Sequence, residues 1–336
     1  MSISRRTFLK TTVASAAAAT AGPAGSEARE NKTMPPDALG LLFDSTLCVG
    51  CKACVTACKQ ANAIPLDAPV REPYRDSSID IGAGALNVIK VYRDGTAAHK
   101  DQEVNGFAFA KKSCMHCVDP SCVSVCPVSA MQKDPQTGIV RHFKENCIGC
   151  RYCVASCPYG VPRFEYDSPF PAISKCQLCQ HLQAENKIPA CAESCPTGAT
   201  LFGPVPALKA EAQRRLALPP GHETRSERRM TGSGEPVRPR LSPAYHPHLY
   251  GDKELGGTQV LHLAGVPFDK LGMPTLPERS YAAVSETIQH TLYQGMIAPV
   301  AILAGLVGII ARNTRHGHPE QPDASRTDGH GEDERA

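Results

Sequence analysis

Sixteen cysteines fall into four groups of four, and none is left over. The groups are Cys48, Cys51, Cys54, Cys58; Cys114, Cys117, Cys122, Cys126; Cys147, Cys150, Cys153, Cys157; and Cys176, Cys179, Cys191, Cys195. Three of them close on Cys-Pro, at Cys126-Pro127, Cys157-Pro158 and Cys195-Pro196. A chain that bunches its thiols this tightly folds around whatever the bunches bind.

Disulfides, zinc and iron–sulfur clusters compete for such a pattern. A disulfide needs Cα atoms ~4.4–6.8 Å apart with converging Cβ vectors, and three or four cysteines within ten residues mostly cannot pair with one another. Zinc sites are usually built from two Cys pairs separated by a longer gap. The stretch 147–158, C-I-G-C-R-Y-C-V-A-S-C-P, carries instead the spacing of a [4Fe–4S] ligand run. In such a run three close thiolates cap one face of a cubane, and the fourth cysteine serves a neighbouring cluster. The spacing therefore predicts four [4Fe–4S] clusters with all sixteen cysteines as their ligands. An exported structural anchor stapled by zinc or disulfides is the rival of a different class.

Aromatic content is only 5%, Trp is absent, and there are 29 Pro and 27 Gly. That predicts a loop-rich fold in which clusters stand in for part of a hydrophobic core. A net charge of +3 gives no footing for a nucleic-acid partner.

Both ends point to a membrane. Ser4-Arg5-Arg6-Thr7-Phe8-Leu9-Lys10 is a twin-arginine export motif, followed by the weakly apolar run Thr11–Ala21. This route carries folded cargo, which suits clusters assembled in the reducing cytoplasm. Cleavage after Ala21, Ala24 or Ala28 would each leave a small residue at the cut. Leu292–Ala311 is 20 residues without a formal charge. A helix of that length spans about 30 Å, the thickness of a bilayer's hydrocarbon. Arg312 and Arg315 follow it, against Arg279 on the other side. The positive-inside rule then puts the C-terminus in the cytoplasm and the bulk of the chain at the periplasmic face of the inner membrane. His290 at the membrane edge stands too isolated to be a haem ligand.

The organisation expected is a signal peptide at 1–28 and a four-cluster ferredoxin domain at 29–203. A surface helix, tether and strand segment follow at 204–290, then a transmembrane helix at 291–311 and a disordered cytoplasmic tail at 312–336. Strands are expected at Gly40–Asp44, Leu86–Arg93, Gly106–Lys111, Ile139–Phe143 and Thr258–Ala264, and a helix at Val205–Leu218. After the Cys-Pro pairs, Val128–Met131 and Thr197–Thr200 repeat one another and read as short strands leaving the cluster loops. The fold class is α+β: two intertwined two-cluster ferredoxin-like units, groups two and three in one, groups one and four in the other. His116, between two ligands, is either loop surface or a hydrogen-bond donor to a cluster sulfur. Ala301, Ala304, Gly305 and Gly308 offer a small-residue face to another membrane helix.

D-S-T-L-C-V-G-C (44–51), C-M-H-C-V-D-P-S-C-V-S-V-C-P-V-S-A (114–130), P-H-L-Y-G-D-K-E-L-G-G-T-Q-V-L (247–261) and I-Q-H-T-L-Y-Q-G-M (288–296) carry a family resemblance. The chain resembles the ferredoxin-type electron-transfer subunits of bacterial membrane oxidoreductases, among them the beta subunits of respiratory formate dehydrogenases and dimethyl sulfoxide reductases. It is most similar to the HybA-type iron–sulfur subunits of membrane-bound hydrogenase 2. The resemblance implies four ligand sets: Cys48, Cys51, Cys54 with Cys195; Cys176, Cys179, Cys191 with Cys58; Cys114, Cys117, Cys122 with Cys157; and Cys147, Cys150, Cys153 with Cys126. Because Cys122 is kept, all four are expected to be cubanes. Cys58 departs from the pattern by preceding Lys59 and not Pro. The function implied is a non-catalytic electron relay in hydrogen oxidation and anaerobic respiration. Its partners would be the small and large subunits of a periplasmic [NiFe] hydrogenase, an integral membrane quinone-reactive subunit and the lipid bilayer. The equivalent beta subunit of a formate dehydrogenase is the alternative within the class.

Overall fold

The computed structural model describes residues 28–66, 80–166, 171–225 and 239–315. The twin-arginine signal and the tail beyond 315 lie outside the described residues. Residues Ala28–Glu286 form one compact unit, and from Thr287 the chain belongs to a second.

The first unit is organised on a three-stranded sheet in which Leu39–Asp44 is central. Thr200–Pro204 pairs antiparallel on one side, Leu41 opposite Phe202, and Val260–Leu263 pairs parallel on the other, Leu41 opposite Val260. Successive side chains of a strand point to opposite faces, and both faces here are buried. Leu41 and Phe43 enter the larger core with Val55, Ile89, Met115 and Leu178. Leu42 enters a smaller one with Leu201, Leu208, Ala212 and Leu263. The helix Val205–Ala217 supplies Leu208 and Ala212 from one face, and Pro206 sits in its first turn, where a missing N–H costs nothing. At Gly40 the neighbouring strand comes so close that a Cβ would lie 2.0 Å from the Gln259 carbonyl oxygen, so glycine is required there.

Val88–Arg93 and Gly106–Lys112 form the expected antiparallel hairpin, and Met131–Lys133 pairs with Val140–His142. The two tetrapeptides after Cys-Pro differ from expectation. The strands begin only at Met131 and Thr200, because Ser129 (φ 52°) and Gly198 (φ 67°) take left-handed backbone that a strand cannot use. The described part of the expected tether is packed: Arg240–Leu241 pairs with Glu223–Thr224, and Leu249 and Tyr250 are buried.

The C-terminal helix runs Tyr281–Arg315. Among the described residues it is the one helix long and apolar enough to cross a membrane. Leu292, Ile297, Leu303 and Ile310 leave more than half of their surface exposed, an arrangement suited to a lipid environment.

Candidate iron–sulfur sites

Each cysteine group opens on a turn with the same twist. The residue before the second cysteine has positive φ in all four: Gly50 (70°), His116 (47°), Gly149 (69°) and Leu178 (53°). Left-handed backbone is costly for side-chain-bearing residues, so His116 and Leu178 mark places where surrounding structure imposes the turn. The turn aims backbone N–H groups at sulfur. Gly50 N donates to Cys48 Sγ at 3.4 Å and Leu178 N to Cys176 Sγ at 3.3 Å. Met131 N donates to Cys126 Sγ at 3.4 Å, and the amides of Val161, Tyr159 and Gly160 point at Cys157. Donors of this kind stabilise negative charge on a ligating thiolate.

The fourth cysteine of three groups falls just after a short helix, at Ser121–Ser124, Tyr152–Ser156 and Ala190–Glu193. Cys58 instead lies inside the helix Ala53–Ala61. A proline at 59 would clash with the preceding turn, which explains why Lys59 stands there.

None of the sixteen cysteines is in a disulfide. Cys195 stands with Cys48 and Cys54, and Cys51 with Cys48. Cys58 stands with Cys191 and Cys179, and Cys176 with all three. Cys117 and Cys122 stand with Cys157 and Cys114. Cys153 stands with Cys147, Cys126 and Cys150. Neighbouring groups of four also touch electrostatically, through Cys54 with Cys191, Cys176 with Cys114, and Cys122 with Cys153.

Burial, then the adjoining thiols, push Cys153 up to about 11. Burial likewise takes Cys48 to about 11, and Cys54 and Cys58 to about 12. Left bare, these four thiols are neutral at physiological pH, and a bound metal centre would supply the positive charge that makes them thiolates. Four thiolates around one zinc would lie about 3.8 Å apart, given a Zn–S bond of ~2.3 Å. Among the described residues no group of three or more His, Cys, Asp or Glu converges on a single ion. Clustered thiols with backbone amides aimed at sulfur fit a cubane.

His116 is not loop surface; it is fully buried. Val140 N donates to its Nδ1 at 3.0 Å, so the ring hydrogen sits on Nε2, which has no partner among the described protein atoms. Three lysines that sequence reasoning passed over lie among the thiols. Lys133 Nζ donates to the carbonyls of Cys117 and Gly138 at 3.0 and 2.7 Å. Lys175 donates to Val140 O and Cys176 O. Lys111, 2% exposed, donates to Thr200 Oγ1 at 3.3 Å. Its one advance signal was weak: a lysine pair ending an apolar strand.

At the far side of group two, Asp119 is held by Arg29 through two short contacts of 2.7 and 2.9 Å and by Ser280 Oγ at 2.7 Å. Arg29 also reaches Glu286 at 2.7 Å. Close by, Ser121, Ser156, Cys157, Pro158, Tyr281 and Ser285 line a cavity of about 360 Å³.

Sixteen clustered cysteines, none in a disulfide, with amides aimed at sulfur mark an iron–sulfur protein of ferredoxin type. The 4Fe–4S dicluster domain family matches residues 106–205, and the twin-arginine translocation signal family matches residues 2–22. The chain is 48% identical over 326 residues to the hydrogenase-2 operon protein HybA of Escherichia coli O157:H7, covering 96% of this chain and 99% of that one. It is 31% identical over 278 residues to the formate dehydrogenase-O iron-sulfur subunit of Escherichia coli K12, covering 82% and 81%. The nitrate-inducible formate dehydrogenase iron-sulfur subunit of the same organism is 29% identical over 298 residues, covering 86% and 89%. The chain belongs to the HybA family of iron–sulfur electron-transfer subunits. Its cofactors are [4Fe–4S] clusters, and its sixteen cysteines suffice for four.

Proposed function

We propose that the chain relays electrons from a periplasmic [NiFe] hydrogenase to an integral membrane quinone-reactive subunit, as the non-catalytic wire of a hydrogen-oxidising complex. What supports this reading is that thiols of different groups interact in succession. Cys54 adjoins Cys191, Cys176 adjoins Cys114, and Cys122 adjoins Cys153. Thiols that interact in a row in this way suit a relay. Each bound cluster would accept and release one electron at a time.

In this reading the ligand sets are those the resemblance implies, with Cys58 and Cys195 exchanged between one pair of sites and Cys126 and Cys157 between the other. That exchange makes two intertwined two-cluster units. The chain's own residues bind the clusters, fix their spacing and tune them. The domain plan is the signal at 1–28, the cluster domain at 29–203, the packed segment at 204–290, the membrane helix at 291–311 and the tail at 312–336. The cluster domain stands at the periplasmic face and the C-terminus in the cytoplasm, by the weight of Arg312 and Arg315.

Hydrogenase is favoured over formate dehydrogenase by 48% identity against 31%. Deleting the gene in its host and assaying membranes tests the choice. Hydrogen-dependent quinone reduction is expected to vanish while formate-dependent reduction stays. The opposite pattern would assign the chain to formate.

A further inference from the structure

An ammonium group has three N–H donors and, when buried, needs acceptors or counter-charge for them. Lys133 and Lys175 meet that need with backbone carbonyl oxygens. Lys111 does not. It sits in the hairpin strand Gly106–Lys112, 2% exposed, and among the described residues makes no ion pair with a carboxylate. Its hydrogen-bond partner is the Thr200 hydroxyl at 3.3 Å, and the Cys191 thiol is its nearest electrostatic neighbour.

The thiols facing Lys111 come from two different sets. Cys54 and Cys195 belong with Cys48, and Cys191 belongs with Cys58 and Cys179. Cys58 and Cys179 feel the same ammonium. Lys111 thus stands where the first two sites adjoin, with their sulfurs as its main negative neighbours. Four thiolates carry more negative charge than the cluster core cancels, and each added electron deepens the imbalance. A fixed cation in a low-dielectric site opposes that build-up strongly.

We propose that Lys111 is a buried cation shared by the site of Cys48, Cys51, Cys54 and Cys195 and the site of Cys58, Cys176, Cys179 and Cys191, and that it holds the reduction potentials of both up together. The proposal rests on the ligand sets given above. Lys111 is a positioning and tuning residue: it touches ligands and carries no electron. Strand geometry fixes it there, since Lys111 pairs with Ile89 across the hairpin and Thr200 begins the central-sheet strand that follows Cys195-Pro196. A shared cation keeps adjacent sites level with each other.

The test is a dye-mediated redox titration of the purified full-length chain in detergent, followed by electron paramagnetic resonance, with iron and sulfide measured on each sample. Lys111→Met keeps length and apolar bulk without the charge; Lys111→Arg keeps the charge. Lys111→Met is expected to hold the iron of the wild type, yet to disfavour reduction of two clusters by at least about tenfold, 59 mV for one electron. The other two clusters should not move, and Lys111→Arg should restore most of the shift. Unchanged potentials in an iron-replete Lys111→Met chain overturn the proposal, as does an equal shift of all four clusters. If Lys111→Met loses iron, Lys111→Gln, which keeps a donor for Thr200, is titrated in its place and judged by the same shift. Loss of iron in both neutral variants, with or without retention in Lys111→Arg, makes the residue a requirement for assembly and overturns the tuning role. A wild-type chain without iron would instead refute the ligand reading itself.

Discussion

Arg215 Nη1 donates to Asp44 Oδ2 at 2.8 Å, and neither side chain reaches solvent. The pair joins the end of the central strand to the helix Val205–Ala217, four residues before Cys48. Tyr245 OH donates to Asp44 Oδ2 at 2.7 Å, Thr46 donates to Asp44 Oδ1 from both N and Oγ1, and Glu211 receives Arg215 Nε at 2.7 Å. Arg240 Nη2 also stands 3.7 Å from Asp44 Oδ2, and these partners together brace the turn into the first cysteine group.

Removing one member of a buried pair leaves the other charge uncompensated, at a cost of about 3–5 kcal/mol. Arg215→Met is therefore expected to destabilise the chain by that amount. Asp44→Asn plus Arg215→Met should cost less than the two single changes added together. Denaturant unfolding, followed by loss of cluster absorbance, measures both. A cost for Arg215→Met below about 1 kcal/mol, the range of exposed pairs, would contradict the structure.

The two glycines of the Cys-x-Gly-Cys turns make a sharper comparison. Both have φ near 70°, where an alanine costs about 1–2 kcal/mol. At Gly50 a new Cβ would also lie 2.3 Å from the Phe109 ring, whereas at Gly149 its nearest neighbour is Phe164 at 3.4 Å. Gly50→Ala should thus cost clearly more than Gly149→Ala and should deplete iron first from the site of Cys48. Equal effects would show that Phe109 moves aside freely.

What could be read from the sequence was what local chemistry encodes. Cysteine spacing pointed to the clusters, strand-forming runs marked Val88–Arg93 and Gly106–Lys112, and a long uncharged run marked the C-terminal helix. What could not be read depends on contacts far apart in sequence. Val260–Leu263 lies beside Leu39–Asp44 across more than two hundred residues, and nothing local specifies that partner. Arg215 looked like a charge on a surface helix, and its burial follows only from the sheet beneath it. His116 looked equally at home in solvent until Val140 closed over its Nδ1. Lys111 breaks the strand's in–out alternation because its counter-charge comes from cysteines elsewhere in the chain.

Metal analysis is expected to give about sixteen irons and as many acid-labile sulfides per folded chain, four cubanes' worth. Mainly zinc, or iron near two cubanes' worth, would overturn the reading of the sixteen thiols.

Export is expected to depend on the arginine pair. Arg5-Arg6→Lys-Lys should strand the chain in the cytoplasm, because a folded, cluster-loaded domain cannot use a route for unfolded chains. Protease treatment of spheroplasts expressing the chain alone measures this, and normal periplasmic exposure of the variant would count against it.

Deleting Leu292–Ala336 should release the cluster domain into the periplasm, folded and loaded with iron. All sixteen cysteines lie before Pro196, and the compact unit they belong to ends at Glu286. The contact of Arg29 with Glu286 survives the cut, so the base of the helix keeps its hold on Asp119. The deleted run has the length and apolarity to cross a bilayer but contains no cysteine. Hydrogen oxidation with a soluble dye should therefore persist in the complex, while hydrogen-dependent quinone reduction falls sharply, since the cluster domain is no longer held near the quinone-reactive partner. Loss of iron from the truncated chain would show that the helix belongs to the folding core. Undiminished quinone reduction would show that the cluster domain docks through its own surface and that the helix is a redundant tether.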